Sequence, residues 1–152
     1  MRLLEQKKAQ YQSYSYDPDQ GISGVEVAAQ LGQDPRRVFK TLVTVGKSRE
    51  HYVFVIPVGA ELNLKKAASA VGEKSIEMIA QKELLPLTGY IHGGCSPVGM
   101  KKNFRTTIDA SAEGFETIIF SAGKIGFQVE TSLAELSKVI RFSTAELCTA
   151  AE

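Results

Sequence analysis

The segment Val38–Val58, with the sequence VFKTLVTVGKSREHYVFVIPV, decides the fold. It contains two runs rich in β-branched and apolar residues, Val38–Val45 and Tyr52–Val58, which predict two strands. The polar stretch Gly46–Arg49 lies between them, so the two strands are predicted to form a hairpin. Residues Val53–Ile56 are apolar without alternation, which predicts a strand covered on both faces.

Elements on both sides of the hairpin favour a mixed sheet with helices around it. Helices are predicted over Leu3–Gln10, Val25–Leu31, Leu64–Val71, Gln81–Thr88 and Ser132–Ile140. Further strands are predicted over Gln12–Tyr16, Thr106–Asp109, Glu116–Phe120 and Phe127–Glu130. Ser23 and Ser132 each stand three residues before a glutamate, which is the spacing of a capping box. Because helices and strands interleave around a hairpin, the pattern predicts an α/β fold with a mixed sheet.

The composition is that of one globular domain. The chain has 152 residues, of which 43% are hydrophobic and 23% charged, close to the average for folded domains. We therefore expect a single domain over residues 1–152. No apolar run approaches the roughly 20 residues that span a bilayer, and the first residues lack the apolar core of a secretory signal. These features predict a cytoplasmic protein with no membrane partner.

Metal-ligand spacing is missing from the sequence. The two cysteines, Cys95 and Cys148, lie in unrelated contexts, and the two histidines, His51 and His92, stand alone. Zinc sites need these residue types in close pairs. We therefore predict no metal site, no cofactor and reduced thiols.

The segment Tyr90–Gly99 is the most unusual part of the chain. It contains three glycines and a proline, and Lys101 and Lys102 follow it. Glycines allow close backbone approach, and successive amides form concavities that bind anions. One interpretation is a loop that holds an oxyanion or a phosphate; the other is a tight connection between sheet elements.

Two side chains near these segments are candidates for chemistry. Lys40 shares a predicted strand face with Val38 and Leu42, and a lysine on an apolar face needs a partner or a cavity. An anionic ligand is one such partner. Cys95 lies inside the glycine-rich loop, where it is either a nucleophile or a small residue that fills a gap; a nucleophile would need a base within hydrogen-bonding distance.

Four stretches together resemble the YbaK/EbsC-like family of the prolyl-tRNA synthetase editing-domain superfamily. The first is Arg37–Leu42, which contains Phe-Lys-Thr-Leu, and the second is Leu62–Ala68. The third runs from Thr88 to Lys102 and contains Gly-Gly-Cys-Ser-Pro-Val-Gly. The fourth runs from Thr107 to Lys124. The resemblance extends from about Tyr14 to the closing helix.

The resemblance implies an α/β fold with a mixed, partly barrel-like sheet and a free-standing editing enzyme. Such enzymes deacylate mischarged tRNA, typically cysteinyl-tRNA(Pro), and relatives clear alanyl-tRNA(Pro). The partners implied are tRNA(Pro) and prolyl-tRNA synthetase. Where the family commonly has an aliphatic residue, this chain has Cys95, which disfavours a cysteine nucleophile.

The resemblance also supplies the predicted site. The residues expected to act in catalysis are Lys40, Gly93, Gly94 and Pro97. The residues expected to bind substrate are Tyr16, Cys95, Ser96, Lys101, Asp109 and Ser111. In this interpretation loop amides stabilise the oxyanion and Lys40 holds the terminal phosphate or polarises the carbonyl. The nucleophile is water or the thiol of a cysteinyl substrate.

The charge distribution leaves room for an RNA partner. The formal net charge is only +1, which by itself argues against a nucleic-acid binder. Two windows, Pro35–Arg49 and Leu84–Ile108, nevertheless contain basic residues and no acidic ones. Both windows contain predicted site residues, so we expect one local basic face. The alternatives are a non-catalytic module that binds tRNA, a nucleotide or a synthetase, and an acyl hydrolase that uses Cys95.

Overall fold

The computed structural model describes residues 2–20 and 23–149. Within these residues five α-helices form: α1 (Arg2–Gln6), α2 (Gly24–Gln30), α3 (Leu64–Val71), α4 (Gln81–Thr88) and α5 (Leu133–Leu136). Three short 3-10 turns lie at Pro18–Gln20, Pro35–Arg37 and Ala110–Gly114. No helix in the described ranges is long and apolar enough to cross a membrane.

The strands form two sheets. They are β1 (Gln12–Ser15), β2 (Phe39–Gly46), β3 (His51–Pro57), β4 (Ile76–Met78), β5 (Arg105–Asp109), β6 (Ile118–Ser121), β7 (Phe127–Thr131) and β8 (Ser143–Ala145). A three-stranded antiparallel sheet has the order β1-β7-β6, and a five-stranded mixed sheet has the order β4-β2-β3-β5-β8. The predicted mixed α/β fold is confirmed. Across the described residues the sheets stay open and do not close into a barrel.

The hairpin that the sequence predicts forms the centre of the larger sheet. Strands β2 and β3 pair antiparallel from Phe39 opposite Pro57 to Val45 opposite His51. The run Val53–Ile56 is fully buried, as predicted, because the sheet has an apolar layer on each side. Val53 and Val55 face a cluster with the smaller sheet and α5, whereas Phe54 and Ile56 face α3.

Local capping signals set several helix ends as expected. The Ser23 side chain accepts a hydrogen bond from the Glu26 amide, and α3 ends at Gly72, which has a φ of 76°. The last helix is capped by Ser132 but is shorter than predicted. After Leu136 the amides of Lys138 and Val139 bond three residues back rather than four, so the helix tightens and ends.

One charged network joins the two sheets. The Arg37 guanidinium lies 2.7 Å from a Glu130 carboxylate oxygen on β7. The hydroxyl groups of Tyr14 on β1 and Thr117, next to β6, also donate to this carboxylate. Burial disfavours the Glu130 charge, but these donors outweigh it and lower the pKa of the carboxyl group.

We expect Glu130→Gln to destabilise the fold at neutral pH and much less in acid. A lowered folded-state pKa means that the carboxylate stabilises the protein above its usual value of 4.5 and that this stabilisation is lost as pH falls through the folded value. At pH 7 the loss of charge-assisted hydrogen bonds should cost about 1–3 kcal/mol. Urea unfolding of both proteins at several pH values measures this, and a difference that stays constant from pH 7 to pH 3 would contradict it.

Candidate active site

A cavity opens where one edge of β2 lacks a neighbouring strand. On that edge β4 pairs only with Thr44–Gly46, and Val38 forms an isolated bridge to Ile119 of β6. Between these two pairings no described strand pairs with β2 on this side. The edge therefore has a gap bounded by β4 at one end and by β6 at the other.

The hydrogen bonds along β2 show which backbone groups face the gap. The Val38 carbonyl and the Gly46 amide bond towards β3, whereas the Val43 carbonyl accepts from Ile79 on the other side. Because the backbone groups of successive residues point to alternate edges, the N–H and C=O of Thr41 point into the gap. Its hydroxyl oxygen is buried and has no hydrogen-bond partner among the residues that the structure describes. Thr41 thus presents unused polar groups at the cavity.

The cavity has a volume of about 330 Å³, within the usual range for small-molecule sites. Four of the predicted site residues line it: Tyr16, Lys40, Gly93 and Cys95. Much of the remaining wall is apolar and is formed by Val25, Val27, Val58, Leu84 and Phe127. The structure therefore brings together predicted residues from three separate parts of the chain: the residue after β1, strand β2 and the glycine-rich loop.

Lys40 is the cation of this cavity. It is half-buried and takes part in no ion pair or hydrogen bond with any residue that the structure describes. Its charge acts on Cys148, whose thiol lies beside Asp109. A half-buried cation without a counter-charge is suited to an anionic ligand.

The glycine-rich loop is held in place from both sides. The Tyr90 hydroxyl donates to the Val98 carbonyl, and a Cβ at Gly99 would lie 2.8 Å from that hydroxyl. On the other side a Cβ at Gly94 would lie 3.2 Å from the backbone nitrogen of Ile125. Glycine is favoured at both positions, because Gly99 has a φ of 80° and a side chain at Gly94 would have to displace the Ile125 backbone by a few tenths of an ångström.

The loop amides are not equivalent. The Gly94 amide already donates to the Ile91 carbonyl, at 3.0 Å, and the Val98 amide donates to the Ser96 hydroxyl, at 3.2 Å. The amides of Gly93 and Cys95 have no hydrogen-bond acceptor within the described part of the chain, and both residues line the cavity. These two amides are therefore candidate donors to an oxyanion in the cavity.

The remaining predicted residues lie away from the cavity lining. Gly94 and Ser96 are buried within the loop, and Pro97 lines a second cavity. The aliphatic part of Lys101 packs against Gly89. Asp109 accepts hydrogen bonds from the amides of Ser111 and Leu147. The predicted residues Asp109 and Ser111 therefore belong to the junction between β5 and the C-terminal segment.

Cys95 has the properties of a packed thiol rather than a nucleophile. It is 8% exposed, and burial raises its pKa to about 12 despite a hydrogen bond with Thr88. The pKa of the Cys148 thiol is also raised to about 12, because burial and the negative charge of Asp109 outweigh the positive charges of Lys40 and Lys66. Neither thiol is ionised at neutral pH, and only the thiolate is an effective nucleophile.

Among the cavity residues that sequence reasoning missed are two polar ones, Thr41 and Gln128. Thr41 lies on the strand face opposite to Lys40, and only the gap at the strand edge lets both reach the same space. Gln128 on β7 is 5% exposed, lines the cavity and accepts a hydrogen bond from Gln33, at 3.0 Å. The Phe-Lys-Thr-Leu motif contained a signal for Thr41, whereas nothing in the local sequence marked Gln128.

The first basic window does not form a single face. Arg36 pairs with Asp34 and Arg37 with Glu130. Lys47 and Arg49 lie in the hairpin turn, and Lys47 is seven residues beyond Lys40, about 23 Å along the strand. Lys40 is therefore the one basic residue of this window that lines the cavity. No group of three or more metal-ligating side chains occurs among the described residues.

Comparison of the fold with solved structures identifies its class. The crystal structure of "a putative trans-editing enzyme for prolyl tRNA synthetase" superimposes with a TM-score of 0.82 at 22% identity and covers 98% of this chain and 94% of that one. This likeness establishes the fold: a mixed α/β editing-domain architecture.

Sequence comparison establishes the family. The model of the aminoacyl-tRNA editing domain matches residues 21–139, and the chain belongs to this family. It is 44% identical over 150 residues to "Putative Cys-tRNA(Pro)/Cys-tRNA(Cys) deacylase EbsC" of Enterococcus faecalis, a match that covers 98% of this chain and 92% of that protein. It is also 29% identical over 99 residues to a proline–tRNA ligase of Pelobacter propionicus, covering 65% of this chain and 17% of that enzyme.

We expect Cys95 to be alkylated slowly in the folded protein. With a pKa of about 12 almost no thiolate is present at pH 8, whereas an unfolded cysteine with a pKa of about 8.5 is partly ionised. In a Cys148→Ser background, iodoacetamide should react roughly 100-fold or more slowly with the native protein than with the urea-unfolded one. Mass spectrometry over time measures the rate. Rapid native labelling would revive the nucleophile interpretation of Cys95.

Proposed function

We propose that this protein is a trans-editing aminoacyl-tRNA deacylase that removes a wrong amino acid, most strongly supported as cysteine, from tRNA(Pro). The observation that carries the proposal is the half-buried Lys40, without a counter-charge, in a cavity shared with the free amides of the glycine-rich loop. Family membership supports the editing reaction, and the similarity to EbsC supports the amino acid.

The substrate has features that match the cavity. An aminoacyl-tRNA ends in an ester between the amino acid and the terminal ribose, next to a phosphate. Lys40 provides the positive charge for that phosphate, and the apolar wall, which includes Val25 and Val58, accommodates the amino-acid side chain. The amides of Gly93 and Cys95 then face the ester carbonyl. Gly94 and Pro97 serve to shape the loop, because Gly94 has no free amide and proline has none at all.

Catalysis in this proposal depends on position and charge. As a nucleophile adds to the ester carbon, negative charge grows on the carbonyl oxygen and the loop amides stabilise it. Two nucleophiles fit. Attack by water gives the free amino acid and tRNA. Attack by the thiolate of the substrate's own cysteine gives a cyclic thioester and tRNA. In both reactions the ester C–O bond breaks and the leaving ribose oxygen takes up a proton. The thiol route benefits from the high effective concentration of an intramolecular group.

The same relatives support a wider proposal about the domain, its location and its partners. We propose that residues 1–152 act as one editing domain in the cytoplasm and meet tRNA(Pro) after its release from, or while docked to, prolyl-tRNA synthetase. The similarity to part of a proline–tRNA ligase supports this partnership, because the editing unit then works alongside the same tRNA in both settings.

Replacing Lys40 with alanine should remove most of the deacylation. We expect kcat/KM to fall by about 10- to 150-fold, because a hydrogen bond to a charged phosphate is worth about 1.5–3 kcal/mol. The measurement is a panel of cysteinyl-, alanyl- and prolyl-tRNA(Pro), with wild type fastest on the cysteinyl ester. Lys65→Ala is the matched control, since Lys65 is exposed and lines neither cavity. Near wild-type activity of a folded Lys40→Ala protein would contradict the assignment.

Replacing Thr41 with valine should lower activity without lowering stability. The hydroxyl has no protein partner, so its removal leaves no group unpaired and should leave the free energy of unfolding unchanged or slightly higher. If the substrate bonds to this hydroxyl, kcat/KM falls by about 2- to 10-fold, equivalent to one neutral hydrogen bond. Urea unfolding and the deacylation assay separate the two effects, and full activity in the variant would show that the substrate does not use Thr41.

A further inference from the structure

A second cavity lies beside the same glycine-rich loop. It has a volume of about 640 Å³ and is formed by the end of the loop, the start of β5 and the segment that follows α5. Pro97 and Gly99 line it from the loop side. Its floor contains apolar groups of Met100, Phe104 and Ile140. The two cavities thus share one loop but have different walls.

The second cavity is positively charged. Three basic residues line it, Lys102, Lys138 and Arg141, and no acidic residue lines it within residues 2–20 and 23–149. Lys138 is paired with Glu135, at 2.7 Å. Lys102 and Arg141 are exposed and form no ion pair or hydrogen bond with any described residue. Two unpaired cations on one groove favour an anionic occupant.

The distance to the first cavity limits what the occupant can be. Gly93 lines the first cavity and Pro97 the second, and four residues of chain span at most about 14 Å. In double-stranded DNA the phosphates of one strand follow one another about every 3.4 Å along the helix axis, and the phosphates of an RNA strand likewise recur at every nucleotide. A nucleic acid whose end occupies the first cavity therefore has phosphates within reach of the second.

We propose that this groove binds the phosphate backbone of the tRNA acceptor strand through Lys102 and Arg141. The proposal rests on the proposed function, since it names how the same substrate is held beyond its terminal nucleotide. A site for a free phosphate ion typically has buried donors that converge on one point. Lys102 and Arg141 are instead exposed, and the groove that they line has about twice the volume of the first cavity. That arrangement fits a chain of phosphates.

The test compares two double variants of equal charge. The groove variant, Lys102→Ala/Arg141→Ala, removes the two unpaired cations of the groove. The control variant, Lys47→Ala/Lys74→Ala, removes two exposed cations that line neither cavity. These two lysines lie near β4, where the Lys47 amide donates to the Ser75 carbonyl. We expect the groove variant to bind uncharged tRNA(Pro) about 10-fold more weakly, and the slope of log K against log salt to fall by about 2, one for each phosphate that the variant no longer neutralises. In the control variant, the tRNA affinity and the salt slope should both change much less.

Aminoacylated substrates separate this proposal from the proposed function. The groove variant should raise KM for cysteinyl-tRNA(Pro) with little change in kcat, and should cleave the short ester cysteinyl-adenosine as wild type does, because that substrate does not reach the groove. If wild type cleaves neither cysteinyl-tRNA(Pro) nor cysteinyl-adenosine, the proposed function is wrong. The comparison of tRNA affinities still tests whether the groove binds tRNA.

Three results would overturn the groove proposal. One is equal loss of tRNA affinity in both double variants, which would show an effect of net charge alone. Another is an equal loss of activity on cysteinyl-adenosine, which would place Lys102 and Arg141 in the first site. The third is that inorganic phosphate displaces tRNA from wild type more strongly than chloride does at equal ionic strength, but does not do so in the groove variant. This result would identify a site for a free anion.

Discussion

The gap along one edge of β2 is the constraint on which the rest of the site depends. A strand offers backbone hydrogen bonds on two edges, and β2 uses one of them fully with β3. On the other edge β4 pairs near the hairpin turn and β6 bridges at Val38, so the middle of the strand stays open. An unpaired edge is normally covered or blunted. Here it lies against a cavity, where its polar groups are available to a ligand.

Two other features keep this gap from closing. The Arg37–Glu130 pair joins the segment before β2 to the smaller sheet and so fixes the distance between the two sheets. The glycine-rich loop, wedged between Tyr90 and the turn that contains Ile125, cannot collapse into the space. These contacts support the walls of the cavity, and walls held in this way reduce the ordering that binding requires.

The charges of the protein are arranged to leave Lys40 free. Arg36, Arg37, Lys66 and Lys138 all have carboxylate partners. Burial disfavours the charge of Asp109, at the end of β5, but hydrogen bonds from Ser111 and from the Leu147 amide outweigh it and lower the pKa of this carboxyl group. Asp109 is absent from the described lining of the cavity and forms no ion pair with Lys40.

The sequence predicted local features well and long-range assembly less well. The central hairpin, the Ser23 and Ser132 caps and the end of α3 at Gly72 depend on neighbouring residues, and all are confirmed. Strands β4 and β8 were missed because each has three residues and is defined by its partner strand.

The same division holds for the site. Lys40 and Gly93 were predicted from motifs and meet in the cavity, whereas Pro97 and Asp109 belong to the same motifs but lie elsewhere. Thr41 could not be assigned from face alternation, because the cavity lies at a strand edge and receives side chains from both faces. Only the pairing of the strands reveals such an edge.

The most direct test of the account is a crystal structure with a stable substrate analogue, a cysteinyl-adenosine 5′-phosphate in which an amide replaces the ester. The account predicts that the phosphate lies within ion-pair distance of Lys40 Nζ and that the carbonyl oxygen accepts hydrogen bonds from the amides of Gly93 and Cys95. An analogue bound outside this cavity, or bound within it with its carbonyl turned away from the loop, would contradict the account.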